Sequence, residues 1–202
     1  MAKGNKEFRL EVPGEENVVL LHTCCAPCSS AIIECMMNNG ITPVIYYCNP
    51  NIYPRKEYEI RKNECTRYAQ ALGLEIVDAD YDHENWLREV AGMENEPERG
   101  GRCLKCFKLR LLRTAQFAAQ RGIKVITTTL ASSRWKSLDQ INEAGHWASD
   151  ETETPVIWWD QNWRKGGLQE RRLQILKEYD FYNQLYCGCE FSVRKDDQNT
   201  GE

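Results

Sequence analysis

Seven of the ten cysteines in this 202-residue chain fall in three tight groups: Cys24-Cys25-Ala26-Pro27-Cys28, Cys103-Leu104-Lys105-Cys106 and Cys187-Gly188-Cys189. Thiolates are soft metal ligands and redox nucleophiles, so clustered thiols point to metal binding or dithiol chemistry. A Cys-x-x-Cys pair at a helix start puts two thiols on one face, where the helix terminus lowers their pKa. Cys103 and Cys106 have that spacing, which alone fits zinc, an iron–sulfur cluster or a redox pair equally. Adjacent cysteines such as Cys24 and Cys25 suit a polynuclear cluster, whose irons lie apart and each take one thiolate. A single tetrahedral zinc more often uses spaced pairs. The reading that follows is a [4Fe–4S] cluster on Cys24, Cys25, Cys103 and Cys106. A Cys-Gly-Cys closes into a strained, easily reduced disulfide. Cys187 and Cys189 therefore read as a redox-active pair that relays electrons or holds a further metal, and Cys28 is left without an assigned partner. Cys35, Cys48 and Cys65 have no clustered neighbour and read as packing residues.

Other side chains join the candidate list with less specific signals. Asp80 and Asp82 end a strand and are candidate proton donors or metal ligands, with a helix cap as the competing role for Asp82. His22, His83 and His146 are isolated from one another and read as packed or surface histidines. Tyr46, Tyr47, Tyr53 and Tyr81 are candidates for base stacking or proton donation, against the commoner role of core tyrosine. Two stretches combine cations with tryptophan as RNA contacts do. They are Ser132-Ser133-Arg134-Trp135-Lys136 and the run Asn162 to Arg172, with Trp163, Arg164, Lys165, Arg171 and Arg172. Arg99, Arg102, Lys105, Lys108 and Arg110 extend that patch.

These residues must be positioned by the elements around them. Apolar and β-branched runs predict strands at Val18–Thr23, Thr42–Cys48, Glu75–Asp78, Lys124–Thr129 and Pro155–Trp159. Helical patterns predict helices from a Ser29 cap to Asn38, and over Arg55–Leu72, Asn85–Val90, Cys103–Gln120, Ser137–Ala148 and Leu168–Tyr179. Short strands alternating with amphipathic helices imply an α/β domain: a parallel sheet covered on both faces. Ligand sites in such sheets lie beyond the carboxyl ends of the strands. Cys24 and Cys25, the loop Asn49–Pro54, the acidic run Asp78–Asp82 and Leu130–Ser133 all follow strands and meet at one thiol-rich edge.

Composition bounds the rest. The chain is 42% hydrophobic and 28% charged with a net charge of −4, which does not suggest a general nucleic-acid coat but permits a local basic patch. No apolar run approaches the ~20 residues that span a bilayer, and the polar start lacks a secretory apolar region. Many cysteines without such a signal imply a cytoplasmic protein with metal or redox thiols. One domain is expected over residues 17–194, with unstructured segments at 1–16 and 195–202.

The runs LLHTCCAPCSS, YYCNPNIYPRKEY, DADYD, GGRCLKCFKLRL, TTTLASSRWKS, NWRKGGLQ and YCGCEFS resemble, in this order, cobalamin-independent epoxyqueuosine reductases. The match spans Val18 to Ser192. The resemblance implies a Rossmann-like fold related to adenine-nucleotide hydrolases and ATP-pyrophosphatases. It implies an iron–sulfur enzyme that reduces epoxyqueuosine to queuosine at the wobble position of tRNAs with GUN anticodons, fed by an external electron donor. The family's cluster ligands match Cys24, Cys25, Cys103 and Cys106, and its redox-active pair matches Cys187 and Cys189. Two competing readings are an ATP-pyrophosphatase-type RNA sulfurase and a non-catalytic zinc-stabilised RNA-binding module. The first is disfavoured because Thr23–Ser30 has no glycine to cradle pyrophosphate and contains a proline that lacks a donor.

Overall fold

The computed structural model describes residues 8–184 and 186–192. Five strands form one all-parallel sheet: β1 (Val18–Thr23), β2 (Thr42–Tyr47), β3 (Ile76–Asp78), β4 (Val125–Thr128) and β5 (Ile157–Trp158), in spatial order β3-β2-β1-β4-β5. The helices are α1 (Ala26–Asn38), α2 (Arg55–Ala71), α3 (His83–Glu89), α4 (Gly101–Arg121), α5 (Leu138–Asp150) and α6 (Leu168–Glu178). Central β1 pairs Val18 with Thr42 through Thr23 with Tyr47 on one side, and Leu20–His22 with Ile126–Thr128 on the other. Val19, Leu20, Leu21, Val125 and Ile126 are fully buried, as unbroken apolar strands covered on both faces must be.

Strand order runs outward from β1 to β3, then restarts on the other side of β1 at β4. With right-handed crossovers, that reversal moves the connecting helices to the opposite face. The packing agrees: α1 contacts α2 and α6, while α4 contacts α5 and α3. The reversal point lies between β1 and β4, the place where such sheets open a crevice.

Element boundaries depart from expectation in ways that matter for the site. Helix α1 starts at Ala26, three residues before the expected Ser29 cap. Proline in the first turn needs no N–H and already has helical φ, so Cys25 becomes the cap and Ser29 Oγ donates back to the Cys25 carbonyl at 3.1 Å. Helix α4 begins at Gly101, which places Cys103 and Cys106 within its first two turns. β4 stops at Thr128, and the chain tightens into a 3-10 turn over Thr129–Ser132, capped by Thr128 Oγ1 accepting from Leu130 N.

Residues 8–16, expected to be unstructured, pack on the domain: Leu10 N donates to Asn39 Oδ1 at 3.0 Å and Asn39 Nδ2 donates to the Phe8 carbonyl at 3.1 Å. Phe8 also fills the space over Gly166, which has no Cβ to block it. A backbone tether and one aromatic anchor offset the polar composition. The rest of the expected N-terminal segment, 1–7, and the tail 195–202 lie outside the described residues.

Candidate functional site

The carboxyl edge of the sheet opens into a cavity of about 280 Å³ lined by Cys24, Cys28, Cys103, Cys106, Cys187 and Cys189. Three widely separated segments supply these six thiols. Cys24 follows β1, and its N–H donates to Thr129 Oγ1 at 3.2 Å, which ties the thiol loop to the end of β4. Cys25 caps α1 behind Cys24, with the two sulfurs 3.8 Å apart. The sulfurs of Cys24, Cys25 and Cys28 lie within 4.8 Å of one another, an arrangement able to hold a metal ion. Cys103 and Cys106 reach the same cavity from α4.

The third thiol group rides on a strap formed by the chain after α6. Arg67 holds its start at the Tyr179 carbonyl, and Tyr182 Oη donates to Glu57 at 2.8 Å. Gln184 Nε2 donates to Cys25 Sγ at 2.8 Å. Arg61 donates to the carbonyls of Tyr186 and Cys187, both at 3.3 Å, and Tyr53 N donates to the Gly188 carbonyl at 2.8 Å. His83 Nε2 pairs with Glu190 at 3.1 Å beyond it. Gly188 has φ +104, and a Cβ there would lie 2.8 Å from Ile52, so only glycine lets the strap lie this close to the edge loop.

Electrostatics separate the thiols. Cys24 is held well below the usual thiol value because Cys25 and Cys28 direct hydrogen bonds to it, helped by Thr129 and Arg110. Burial, and the ionised neighbour, push Cys25 well up. Cys28 is raised to about 12, chiefly because it donates to Cys24. Burial opposes ionisation of Cys187, but Lys136 and Arg110 outweigh it and lower the thiol below its usual value. Lys136 Nζ lies 3.3 Å from Cys187 Sγ. Cys189 is raised to about 12 by burial and by Cys106 and Cys187. The expectation that a helix start would acidify Cys103 and Cys106 does not hold. Burial dominates and raises both.

Arg110 is the other cation of the site. It is 2% exposed, and among the described residues its guanidinium donates to the Cys48 carbonyl and Asn49 Oδ1, with the Cys106 thiol also facing it. A buried guanidinium without a carboxylate is costly unless another anion faces it. Among the described residues the cavity lining holds Arg61, Arg99, Arg102, Arg110, Lys136 and Arg172 against the single acid Glu98. Trp86 Nε1 and Gln184 Oε1, both from lining residues, find no hydrogen-bond partner among the described residues. Thiols, surplus buried cations and unpartnered polar atoms fit an anionic metal–thiolate group.

Several sequence candidates fall elsewhere. Asp80 and Asp82 are exposed and are not among the residues lining this cavity; Asp82 sits at the start of α3 and lines a separate depression with Pro50 and Arg113. Their strand, β3, is the sheet edge farthest from β4, which removes them from the crevice. Trp163 is 1% exposed and packs edge-on against Trp159 at 5.3 Å, so it is a core residue without a free face for RNA. Arg171 is spent on Glu34 and Glu178, both at 2.7 Å. Lys136, grouped with RNA contacts by its sequence neighbours, faces Cys187. Arg164 turns inward to the carbonyls of Ser133 and Lys136. Arg172 lines the cavity, while Arg134 and Lys165 are exposed.

His22 is fully buried, bridging Thr128 Oγ1 at 2.6 Å and the Cys48 carbonyl at 3.0 Å. Burial and Arg110 lower its pKa to about 3, so it is neutral and joins three strand ends. Arg61, Gln184, Trp86 and Thr129 were not singled out from the sequence. The only local signal was the Glu57/Arg61 spacing of one helical turn, which marks a pair but not what it holds.

The chain also has relatives among known proteins. A family model described as epoxyqueuosine reductase QueH matches residues 19–195. The chain is 49% identical to the epoxyqueuosine reductase QueH of Histophilus somni over 186 residues, covering 92% of this chain and 76% of that protein. It is 48% identical to that of Haemophilus influenzae, with the same coverage. The Thermotoga maritima protein of that name is 34% identical, with 87% of this chain and 90% of that one covered. On the family match and on relatives of this identity and coverage, the chain belongs to the epoxyqueuosine reductase QueH family.

Proposed function

We propose that the protein reduces epoxyqueuosine to queuosine at the wobble position of tRNA, using a [4Fe–4S] cluster on Cys24, Cys25, Cys103 and Cys106. The observation that carries the reading is the convergence of three thiol groups, the buried Arg110 and the half-buried Lys136 on one cavity. Removing an epoxide oxygen as water takes two electrons and two protons and leaves an alkene. Such a cluster would supply one-electron transfer at a potential set by hydrogen bonds to its sulfurs and by burial.

The chain's own residues supply the rest. Arg110 and Lys136 offset the negative charge of clustered thiolates and favour charge developing on a departing oxygen. Cys187 and Cys189 form the second redox centre: their oxidation to a disulfide releases two electrons and two protons, matching the reaction. Cys187 faces the cavity beside Lys136, and Cys189 lies behind it with Trp86 and Cys106. Cys28 stays near enough to Cys24 and Cys25 to serve as an alternative ligand for a further iron, and no cobalamin is required. An external donor re-reduces both centres. Among the described residues no helix is long and apolar enough to cross a membrane. A cytoplasmic setting is supported by the clustered thiols, since structural disulfides are rare where glutathione keeps thiols reduced.

Anaerobic purification with metal analysis, followed by assay of epoxyqueuosine-containing tRNA on the same sample, tests this. A brown protein with about four irons that forms queuosine is the expected result. A colourless protein with one zinc and no reduction would overturn the reading.

A further inference from the structure

Trp135 is 60% exposed, the most of any large apolar side chain among the described residues, and it lines the mouth of the thiol cavity. The other five tryptophans are buried or partly buried. An exposed indole at a cavity mouth needs a reason, and the main chain beneath it is unusually constrained. Arg99 Nε donates to the Trp135 carbonyl and Arg99 Nη2 to the Arg134 carbonyl, both at 3.0 Å. Arg164 Nη2 donates to the Ser133 carbonyl and, at 2.7 Å, to that of Lys136. Trp135 N donates to Ser133 Oγ at 3.3 Å. Two arginines thus hold one short loop and preorganise the side chain it presents. The Arg134 guanidinium sits 5.1 Å from the indole centroid.

We propose that Trp135 is a stacking platform for an unpaired nucleobase of the tRNA strand, next to the nucleotide that enters the cavity. The proposal rests on the epoxyqueuosine reading and deepens it by naming a residue that positions the RNA. Single-stranded bases are recognised by aromatic faces flanked by arginine, because every base has a π-face and the cation adds attraction to the backbone. The cations around the loop, Arg99, Arg134, Arg164 and Lys165, favour a polyanion over a neutral or basic protein surface as the occupant.

The test is binding of an anticodon stem-loop RNA by the anaerobically purified holoenzyme and its Trp135→Ala and Trp135→Phe variants across a salt series. Alanine weakens binding by about 5- to 150-fold. It leaves the dependence of log affinity on log salt unchanged, since no phosphate contact is lost. KM rises with kcat close to wild type, and phenylalanine restores most of the affinity. Wild-type affinity in Trp135→Ala, in enzyme whose wild type binds and reduces its substrate, overturns the platform and leaves the epoxyqueuosine reading standing. Slower turnover with unchanged RNA affinity also overturns it and marks the loop as a docking face for a protein donor. A wild-type holoenzyme that neither binds the stem-loop nor reduces epoxyqueuosine overturns both.

Discussion

Arg61 is the residue whose loss should do most to separate folding from catalysis. It lies one turn from Glu57 on α2, with side-chain exposures of 2% and 9% and a closest N···O distance of 2.7 Å. Its outer nitrogens hold the Tyr186 and Cys187 carbonyls, so the pair fixes the strap that carries Cys187 and Cys189. Arg61→Met leaves the Glu57 carboxylate buried with Tyr182 Oη as its remaining partner, and frees two strap carbonyls. Removing one member of a buried pair costs about 3–5 kcal/mol. In a domain of this size each kcal/mol lowers Tm by about 2–4 °C, so the variant should melt about 6–20 °C lower. Glu57→Gln added to Arg61→Met removes the orphaned charge and should recover at least about 1 kcal/mol, a coupling readable from the double-mutant cycle. Turnover should not recover, because the strap carbonyls still lack their donor. The assays are anaerobic thermal unfolding and epoxyqueuosine reduction on the same samples. The reasoning fails if Arg61→Met melts within about 2 °C of wild type, below any cost expected of a broken buried pair. It also fails if the double variant regains full turnover.

Two further outcomes follow from the same geometry. Gly188→Ala sets a Cβ 2.8 Å from Ile52 at φ +104, and should cost about 1–3 kcal/mol and slow turnover while iron content stays at the wild-type level; an unchanged Tm would mean the strap does not sit tightly on the edge loop. His22 gives a pH dependence. Its folded pKa of about 3 lies below the usual 6.5, so as pH falls the unfolded chain takes up the proton first and stability is lost from about pH 6.5 towards 3. Between pH 7 and 5 the loss is about 2 kcal/mol, and His22→Gln should remove it in denaturant titrations; equal losses in both proteins would refute a buried neutral histidine.

Much of the fold was legible because it rests on periodicity. The apolar runs around Leu20, Ile45 and Ile126 mark buried strands whatever lies beyond them, and the alternation with helices leaves few arrangements other than a covered parallel sheet. The thiol groups were legible because their spacing is too tight for chance packing. The boundary of α1 was misread because Ser29 is a good cap by type, whereas Pro27 sets the helix start by geometry. The order of the strands around β1 was not legible, since periodicity carries no information about neighbours.

The sequence by itself determined which atoms gather at the candidate site: three groups of sulfur, with cations and tryptophans nearby in the chain. Tertiary structure alone decided which of those cations serve the sulfurs. Arg110 and Lys136 carry no mark in the sequence that distinguishes them from Arg171 or Lys165. They become the partners of the thiols because α4 and the loop after β4 meet over the end of β1, where Arg110 is buried and Lys136 half-buried and a facing thiolate offsets the cost of each charge. In the same way Trp163 and Trp135 look alike as letters in a basic stretch. One closes the core against Trp159, and the other stands at the mouth of the cavity on a loop held by two arginines.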